Sequence, residues 1–448
     1  MQEVIATQQE TSLGMWAKRH TDEDFAILRS EEAKEYWRAD EVYSAVIDSV
    51  AESFQKQIDA RKARPNKTQK ITAKEDATWV KEEDGIILEH GGNASRSVAT
   101  VVKAFAVSHR SAFHDVDSSI TVAISLGLNS ILELSSKHNS QRGLFHSEDW
   151  ARIECLGRKI SKPDFEALCD IKHFETVCSL AQSSIANAET KTQKFASKAR
   201  KSSERKIMTI CAYMLHLFKN HEYIFDHCTG LSEMDYAVKN TEIPLPLLTS
   251  THWGETISEQ TRTAERPIGM KMDTRILGYS VKSKAYETDL ACAELSHFPS
   301  TDKIGHDRAK VLIAAKAHLD EIIGKNQDTD TYVMEMQIAS LEFDILALSL
   351  PANGLYVSQL VGSAKLPVSH FDLEQLKETC ILLFTVEKAV SNNLHLMQSV
   401  ERKKTNKTKL RSSSTDECAK RNWTRGTWIP PQVGRLPSPP PKNLIPEL

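Results

Sequence analysis

The stretch IGMKMDTRILGYSVKSKAYETDLACAELSHF, residues 268–298, decides how the rest of the chain is read. Met272, Ile276, Leu277 and Tyr279 around Asp273 predict a strand, and the small and apolar residues around Glu294 predict a second. The polar run 280–288 between them predicts a hairpin turn, which would bring the two carboxylates together near one end. Carboxylates set side by side in an apolar surrounding are costly unless a positive group sits between them. A hard divalent cation, Mg²⁺ or Mn²⁺, is the ordinary solution, with Asp273 and Glu294 as its ligands. A third acid, Glu233, stands in LSEMDYAVK (231–239), where Ser232 can cap a helix that Pro244 and Pro246 end.

Downstream, Ser300 or Thr301 can cap a helix over about 302–323 with Ile304, Val311, Leu312, Ala315, Leu319 and Ile322 inward, stopped at Gly324. TYVMEMQIAS alternates as a half-buried strand should, and LEFDILALSL-PANG-LYVSQLVGSAKLP predicts a hairpin turning at Asn353-Gly354. A closing helix follows from Ser369 or Asp372 through Leu376, Cys380, Leu383, Val386 and Val390.

This order of helix-Glu, strand-Asp, strand-Glu, helix and further strands resembles the PD-(D/E)xK nuclease-like superfamily. More narrowly, it resembles a family of nuclease-like proteins of fungi. The matching residues are Ser232-Glu233-Met234-Asp235-Tyr236, Trp253-Gly254-Glu255-Thr256, Lys271-Met272-Asp273-Thr274-Arg275-Ile276, Ala293-Glu294-Leu295-Ser296, an Asp/Lys-rich helix, and Asn353-Gly354-Leu355-Tyr356-Val357. The similarity covers roughly residues 205–395, under half the chain, and its specificity lies in the order and spacing of motifs that are individually weak. It implies an α/β (α+β) fold with a restriction-endonuclease-like core, a mixed sheet flanked by helices. It also implies Mg²⁺- or Mn²⁺-dependent hydrolysis of DNA or RNA, with Asp273 and Glu294 on the metal and Glu233 assisting. The chain departs from the family at one position: Ser296 stands where the motif has its lysine. A lysine there orients the attacking water and stabilises negative charge on phosphate. Lys303, Lys310 or Lys316 can reach back to replace it, with Lys310 and Lys316 the two to compare.

At 448 residues, with 40% hydrophobic and 26% charged residues, the chain is long enough for two or three globular domains. The formal net charge is −3, but residues 401–448 hold eleven Lys/Arg against four Asp/Glu, a net of +7. The eight cysteines form no C-x-x-C pair and read as reduced thiols, several of them small core residues. MQEVIATQQETS lacks a signal peptide's basic and apolar segments, and no apolar run reaches the length of a membrane span. An intracellular protein, nuclear or cytoplasmic, is the expectation. There is no G-x-x-x-x-G-K-[ST] loop and no G-x-S-x-G elbow, so phosphate-loop and α/β-hydrolase chemistries are excluded.

The remaining segments divide as follows. Residues 1–60 predict a helical segment through Tyr43, Ile47, Val50, Phe54 and Ile58, and 61–76 a basic linker. Residues 77–228 predict a mainly helical region, with a helix at SVATVVKAFAVSH and a long αα-hairpin joined by the basic run KTQKFASKARKSSERK. In CAYMLHLFKNHEYIFDHC, Cys211, His216 and His221 recur every five residues, about 140° apart on a helix, and so do not share a face for zinc. Residues 229–400 are, on the resemblance, the nuclease-like core. Residues 401–448 predict a basic, Pro-rich disordered tail that adds little to folding, whose ERKKTNKTKLR cluster suits an import receptor or nucleic acid. Three arrangements are open at this stage: a live nuclease, an inactive nuclease-like binding module, and a helical scaffold in which Asp273 pairs with Arg275 or Lys271 and no carboxylates converge.

Overall fold

The computed structural model describes residues 86–135, 141–225, 251–253, 256–258, 269–279, 287–296, 300–326, 330–407 and 423–430. All of them fall in one compact unit, Thr72–Leu448. The expected helix before residue 60, the linker 61–76, Glu233, His227 and Cys228 lie outside the described residues.

The organising element is a seven-stranded mixed sheet in the order β1-β9-β8-β7-β6-β5-β2. Its members are β1 (Ile131–Glu133), β2 (Thr251–Trp253), β5 (Thr274–Tyr279), β6 (Glu287–Ser296), β7 (Tyr332–Ala339), β8 (Glu342–Ala352) and β9 (Leu355–Lys365), while β3 (Thr256–Ser258) and β4 (Gly269–Lys271) pair separately. The pairs β1/β9 and β6/β7 are parallel and the other neighbours antiparallel, so the sheet is mixed as expected. The β8–β9 hairpin turns at Asn353-Gly354, where Gly354 takes φ +70°, a left-handed conformation that favours glycine.

Among the described residues, the helices of the first half are α1 (Val98–His109), α2 (Ser118–Leu128), α3 (Ser147–Glu154), the short α4 (Phe165–Leu168), α5 (Ile171–Ser183), α6 (Ile185–Lys198) and α7 (Ser202–Asn220). They are followed by α8 (Thr301–Asn326) and α9 (Leu376–Lys407). Long α8 crosses from β6 to β7 and lies against both. Successive side chains of a strand point to opposite faces, and β9 uses this at its middle. Ser363 Oγ donates to Asp344 Oδ1 at 2.6 Å on the side where Arg308 of α8 also binds Asp344. Its neighbour Gly362 faces α9, where a Cβ would stand 2.8 Å from Leu382 Cδ2. Thus α8 and α9 cover opposite faces, and a side chain at 362 would have to displace the ends of Leu382 and Lys162. No helix among the described residues is long and apolar enough to cross a membrane.

Four expectations are corrected. First, α8 runs past Gly324 to Asn326, because a glycine inside an already packed helix costs only about 1 kcal/mol relative to alanine.

Second, the long αα-hairpin is three helices. Ser184, in extended backbone, caps α6 by accepting from the Asn187 amide, and the basic run lies mostly on α6 and the first turns of α7.

Third, the described residues of 77–228 and of 229–400 belong to one unit, with no boundary between them. β1 is an edge strand of the same sheet and α2 packs on α8. The stretch SSITVAISLGLNSILEL supplies both α2 and β1.

Fourth, the tail is not wholly outside the fold. α9 continues to Lys407, and residues 423–430 dock on the core with Trp428 buried beside Ala106, Val107, Phe113, Ile124 and Leu128. The cause is specific pairing that composition does not reveal. Asn129 clamps Trp428 by accepting from its amide and donating to its carbonyl, both at 2.8 Å.

The described cysteines are free thiols, and Cys169, Cys211, Cys292 and Cys380 are buried as small core residues.

Candidate active site

The site forms where β5 begins and β6 ends. Thr274 lies opposite Ala293 in the antiparallel ladder, which sets Asp273 opposite Glu294. The Asp273 amide donates to Glu294 Oε1 at 3.2 Å, and Asp273 Oδ2 accepts from the Leu295 amide at 2.9 Å. Each carboxylate is therefore held by the backbone of the other's strand. Asp273 Oδ1 and Glu294 Oε2 carry no hydrogen bond to a described residue.

α8 supplies the rest. Ser300 caps it by accepting from the Lys303 amide at 3.2 Å, and Cys292, on the same face of β6 as Glu294, is a small residue beneath it. Asp307 and Lys310, three residues apart, share one helix face. Lys310 Nζ donates to Glu294 Oε1 at 2.6 Å. Ser296, two residues after Glu294, donates through Oγ to Asp307 Oδ2 at 2.5 Å. A serine of the strand thus tethers the helix, and a lysine of that helix meets the glutamate.

Electrostatics follow from this crowding. Burial, then the neighbouring Asp273, pushes Glu294 up to about 8, against the pull of Lys310. Burial also raises Asp307, opposed by its Ser296 hydrogen bond and by Lys303 and Lys310. Three carboxylates and the ammonium groups of Lys303 and Lys310 bear on one another here, with Asp273 only partly enclosed.

Of the expected site residues, Asp273, Glu294 and Lys310 come together. Lys316 does not join them. Six residues on from Lys310 it is rotated by about 240°, fully buried, and donates to Asp320 Oδ2 at 2.7 Å, the Arg425 carbonyl at 2.5 Å and Thr427 Oγ1 at 3.2 Å. The arrangement in which Asp273 pairs with Arg275 is not the one formed. Arg275 binds Asp289 in a two-pronged pair at 2.6 and 2.8 Å. Asp307 is the participant that sequence reasoning missed, although its three-residue spacing from Lys310 was a usable signal.

Two buried polar networks fix α8 over the sheet. Arg308, fully buried, donates to Glu133 of β1, to Asp344 of β8 at 3.0 Å and to Gln337 of β7 at 3.2 Å. Farther along, His318 Nδ1 meets Glu335 Oε1 at 2.8 Å while Glu335 Oε2 accepts from the Cys292 amide. Burial would lower His318, but the Glu335 carboxylate overrides it and the imidazole is raised above its ordinary value. The donor atoms of Cys292, His318 and Glu335 are near enough together for a metal, yet both glutamate oxygens are already engaged within the protein.

No protein-family model, no curated protein and no solved structure matches this chain.

Proposed function

We propose that this chain is a metal-dependent phosphodiesterase acting on nucleic acid, with the motif lysine supplied by Lys310 of α8. The observation that carries the reading is the Lys310–Glu294 contact of 2.6 Å beside a serine at the motif position. The donor set fits a hard cation, since Asp273 Oδ1 and Glu294 Oε2 are carboxylate oxygens on adjacent strands with no protein hydrogen bond among the described residues. When bound there, Mg²⁺ or Mn²⁺ would acidify a water and neutralise phosphate charge. The protein's own contribution is positional. The backbone amides of Asp273 and Leu295 hold the carboxylates in place, and Glu294 aims the Lys310 ammonium. That ammonium lies where it can donate to a phosphate oxygen as negative charge grows on it. Asp307, tied by Ser296, keeps α8 at the height that brings Lys310 to the strand. Nucleic acid as substrate, and an import receptor as partner of the basic run 401–411, belong to the same proposal.

The competing reading is an inactive nuclease-like module, and one observation favours it. Lys310 already partners Glu294 without any metal ion. Cleavage of single- and double-stranded DNA and RNA with Mg²⁺ or Mn²⁺ separates the two. The expected result is metal-dependent cleavage that Asp273→Asn and Glu294→Gln abolish. Lys310→Ala is expected to lower it by roughly 10²-fold or more. Lys316→Ala should act on stability instead, and Ser296→Lys in the Lys310→Ala background should restore part of the rate. A wild-type protein inert on all four substrates with both metals sinks the enzyme and leaves the binding module.

The raised Glu294 gives a second test that needs no substrate. Its folded pKa of about 8 exceeds the ordinary 4.5, so between these values the folded state holds a proton that the unfolded state has lost. Stability from this group is greatest at low pH and declines as pH rises from about 4.5 to 8 in the metal-free protein. Cation binding at pH 7 should release close to one proton. Titration calorimetry of Mg²⁺ or Mn²⁺ in buffers of different ionisation enthalpy reads that number. No release at pH 7, together with binding unaffected by Glu294→Gln, would place the cation elsewhere.

A further inference from the structure

A second group of metal-ligand side chains lies apart from the carboxylate pair, in the segment before β1 and at the start of α3. There the loop 88–97 is pinned by the Leu88 amide on the Arg96 carbonyl at 2.9 Å and the Ser95 amide on the Leu88 carbonyl at 2.8 Å. Asn93 Nδ2 ties that loop to the Leu144 carbonyl at 3.1 Å. Two histidines face each other across this joint: His90 from the loop and His146 at the N-cap of α3, their rings stacked at 5.5 Å and 25°. Glu148, in the first turn of α3, completes the group. One donor atom from each of His90, His146 and Glu148 lies within 4.8 Å of the others.

What distinguishes this cluster from chance surface histidines is the residue behind it. Asp149 is buried and fixed by the amides of Glu89 at 3.0 Å and His90 at 2.9 Å, and its Oδ1 stands 3.3 Å from His90 Nδ1. A carboxylate on Nδ1 fixes the tautomer that carries its proton there and turns Nε2 outward. Yet His90 Nε2 lies 2.8 Å from the Glu148 carboxylate. A lone pair facing a carboxylate oxygen at that distance is repulsive, so Nε2 needs either its own proton or a shared cation. Two imidazoles and a carboxylate form the three-ligand set of a zinc site that leaves its fourth position to water. His146 and Glu148 are exposed, so that position is open to solvent.

We infer that His90, His146 and Glu148 bind Zn²⁺, with Asp149 as the positioning residue that orients His90. The cation would cross-link the loop 88–97 to the N-terminus of α3, beside the β1 edge of the sheet. It would be chemically distinct from the all-oxygen site at Asp273 and Glu294, because imidazole ligands favour zinc over Mg²⁺.

The test is titration of the full chain, stripped of metal by a chelator, with Zn²⁺ alone in competition with a chromophoric chelator. One tight site is expected. His146→Ala and Glu148→Gln alter exposed side chains, so folding survives, and each should weaken that site by roughly 10-fold or more. Asp149→Asn should weaken it by about 10- to 100-fold while leaving one site per chain, the signature of an orienting partner instead of a ligand. Asp273→Asn and Glu294→Gln should leave zinc affinity at this site unchanged, which separates its fate from that of the nuclease reading. Cobalt(II) in its place should give the visible absorption of a tetrahedral site, absent from the His90→Ala, His146→Ala double variant. The chain has sixteen histidines. If that double variant binds Zn²⁺ with the wild-type stoichiometry and affinity, or the wild type shows no tight site, the assignment is overturned and the cluster is a hydrogen-bonded pair with its carboxylates.

Discussion

Arg308→Ala is expected to destabilise the folded unit by about 3–5 kcal/mol, the usual consequence of removing one partner from a buried ion pair. The guanidinium is fully buried and answers Glu133 and Asp344 together, with Gln337 completing its contacts. Glu133 is itself buried, and burial already raises its pKa above 4.5 despite Arg308 beside it. Without the arginine that carboxylate has no compensating charge. The sign of the pH dependence follows from the direction of this shift. A carboxyl whose folded pKa is raised favours the folded state at low pH and opposes it once the unfolded group ionises, above about 4.5. The variant should therefore be closest to wild type in acid and fall further behind as pH rises. Chemical denaturation at several pH values measures the gap. A double variant, Arg308→Met with Glu133→Gln, should recover much of the loss by removing both charges. A constant deficit at every pH would show that packing, not the orphaned carboxylate, dominates. Because Arg308 sits between Asp307 and Lys310, the same variant should also loosen the candidate site.

Trp428→Ala is expected to cost about 3–5 kcal/mol, as for other buried large-to-small changes. The indole is 1% exposed and meets Phe113 edge-on at 5.5 Å, over a pocket lined by α1 and α2. Truncation makes the sharper comparison. Ending the chain after Pro430 should leave denaturation unchanged. Ending it before Trp423 removes Trp428 and strips the fully buried Lys316 of its Arg425 and Thr427 partners, leaving Asp320 at 2.7 Å and the face of Tyr356 at 4.8 Å. That truncation should lower stability by at least as much as Trp428→Ala. Equal stability of the two truncations would show that the docked segment 423–430 is dispensable.

How much of this was legible beforehand is clearest from single residues. Asp273 and Glu294 were readable as neighbours because a hairpin has period two and a polar turn, and both signals are local. The β8–β9 hairpin was readable for the same reason, from Asn353-Gly354 and the alternation on either side. Helix α8 was visible in its apolar period, but which of its lysines serves the site was not. Lys310 and Lys316 look alike as sequence. Only the docking of α8 on β6 turns one toward Glu294 and the other toward the C-terminal segment. The three-residue strand β1 was invisible because its partner, β9, lies more than two hundred residues away. Trp428 was misread because its surroundings are basic and Pro-rich, and its burial depends on Asn129, 299 positions earlier. The sequence by itself thus determined the local elements, their order, and the pair of carboxylates at one end of a hairpin, because periodicity and turn chemistry act over a few residues. The tertiary structure alone decided which lysine meets those carboxylates, that residues 131–133 join their sheet, and that part of the tail is core. Those outcomes depend on long-range packing, and side chains meet across it only once the whole sheet has formed.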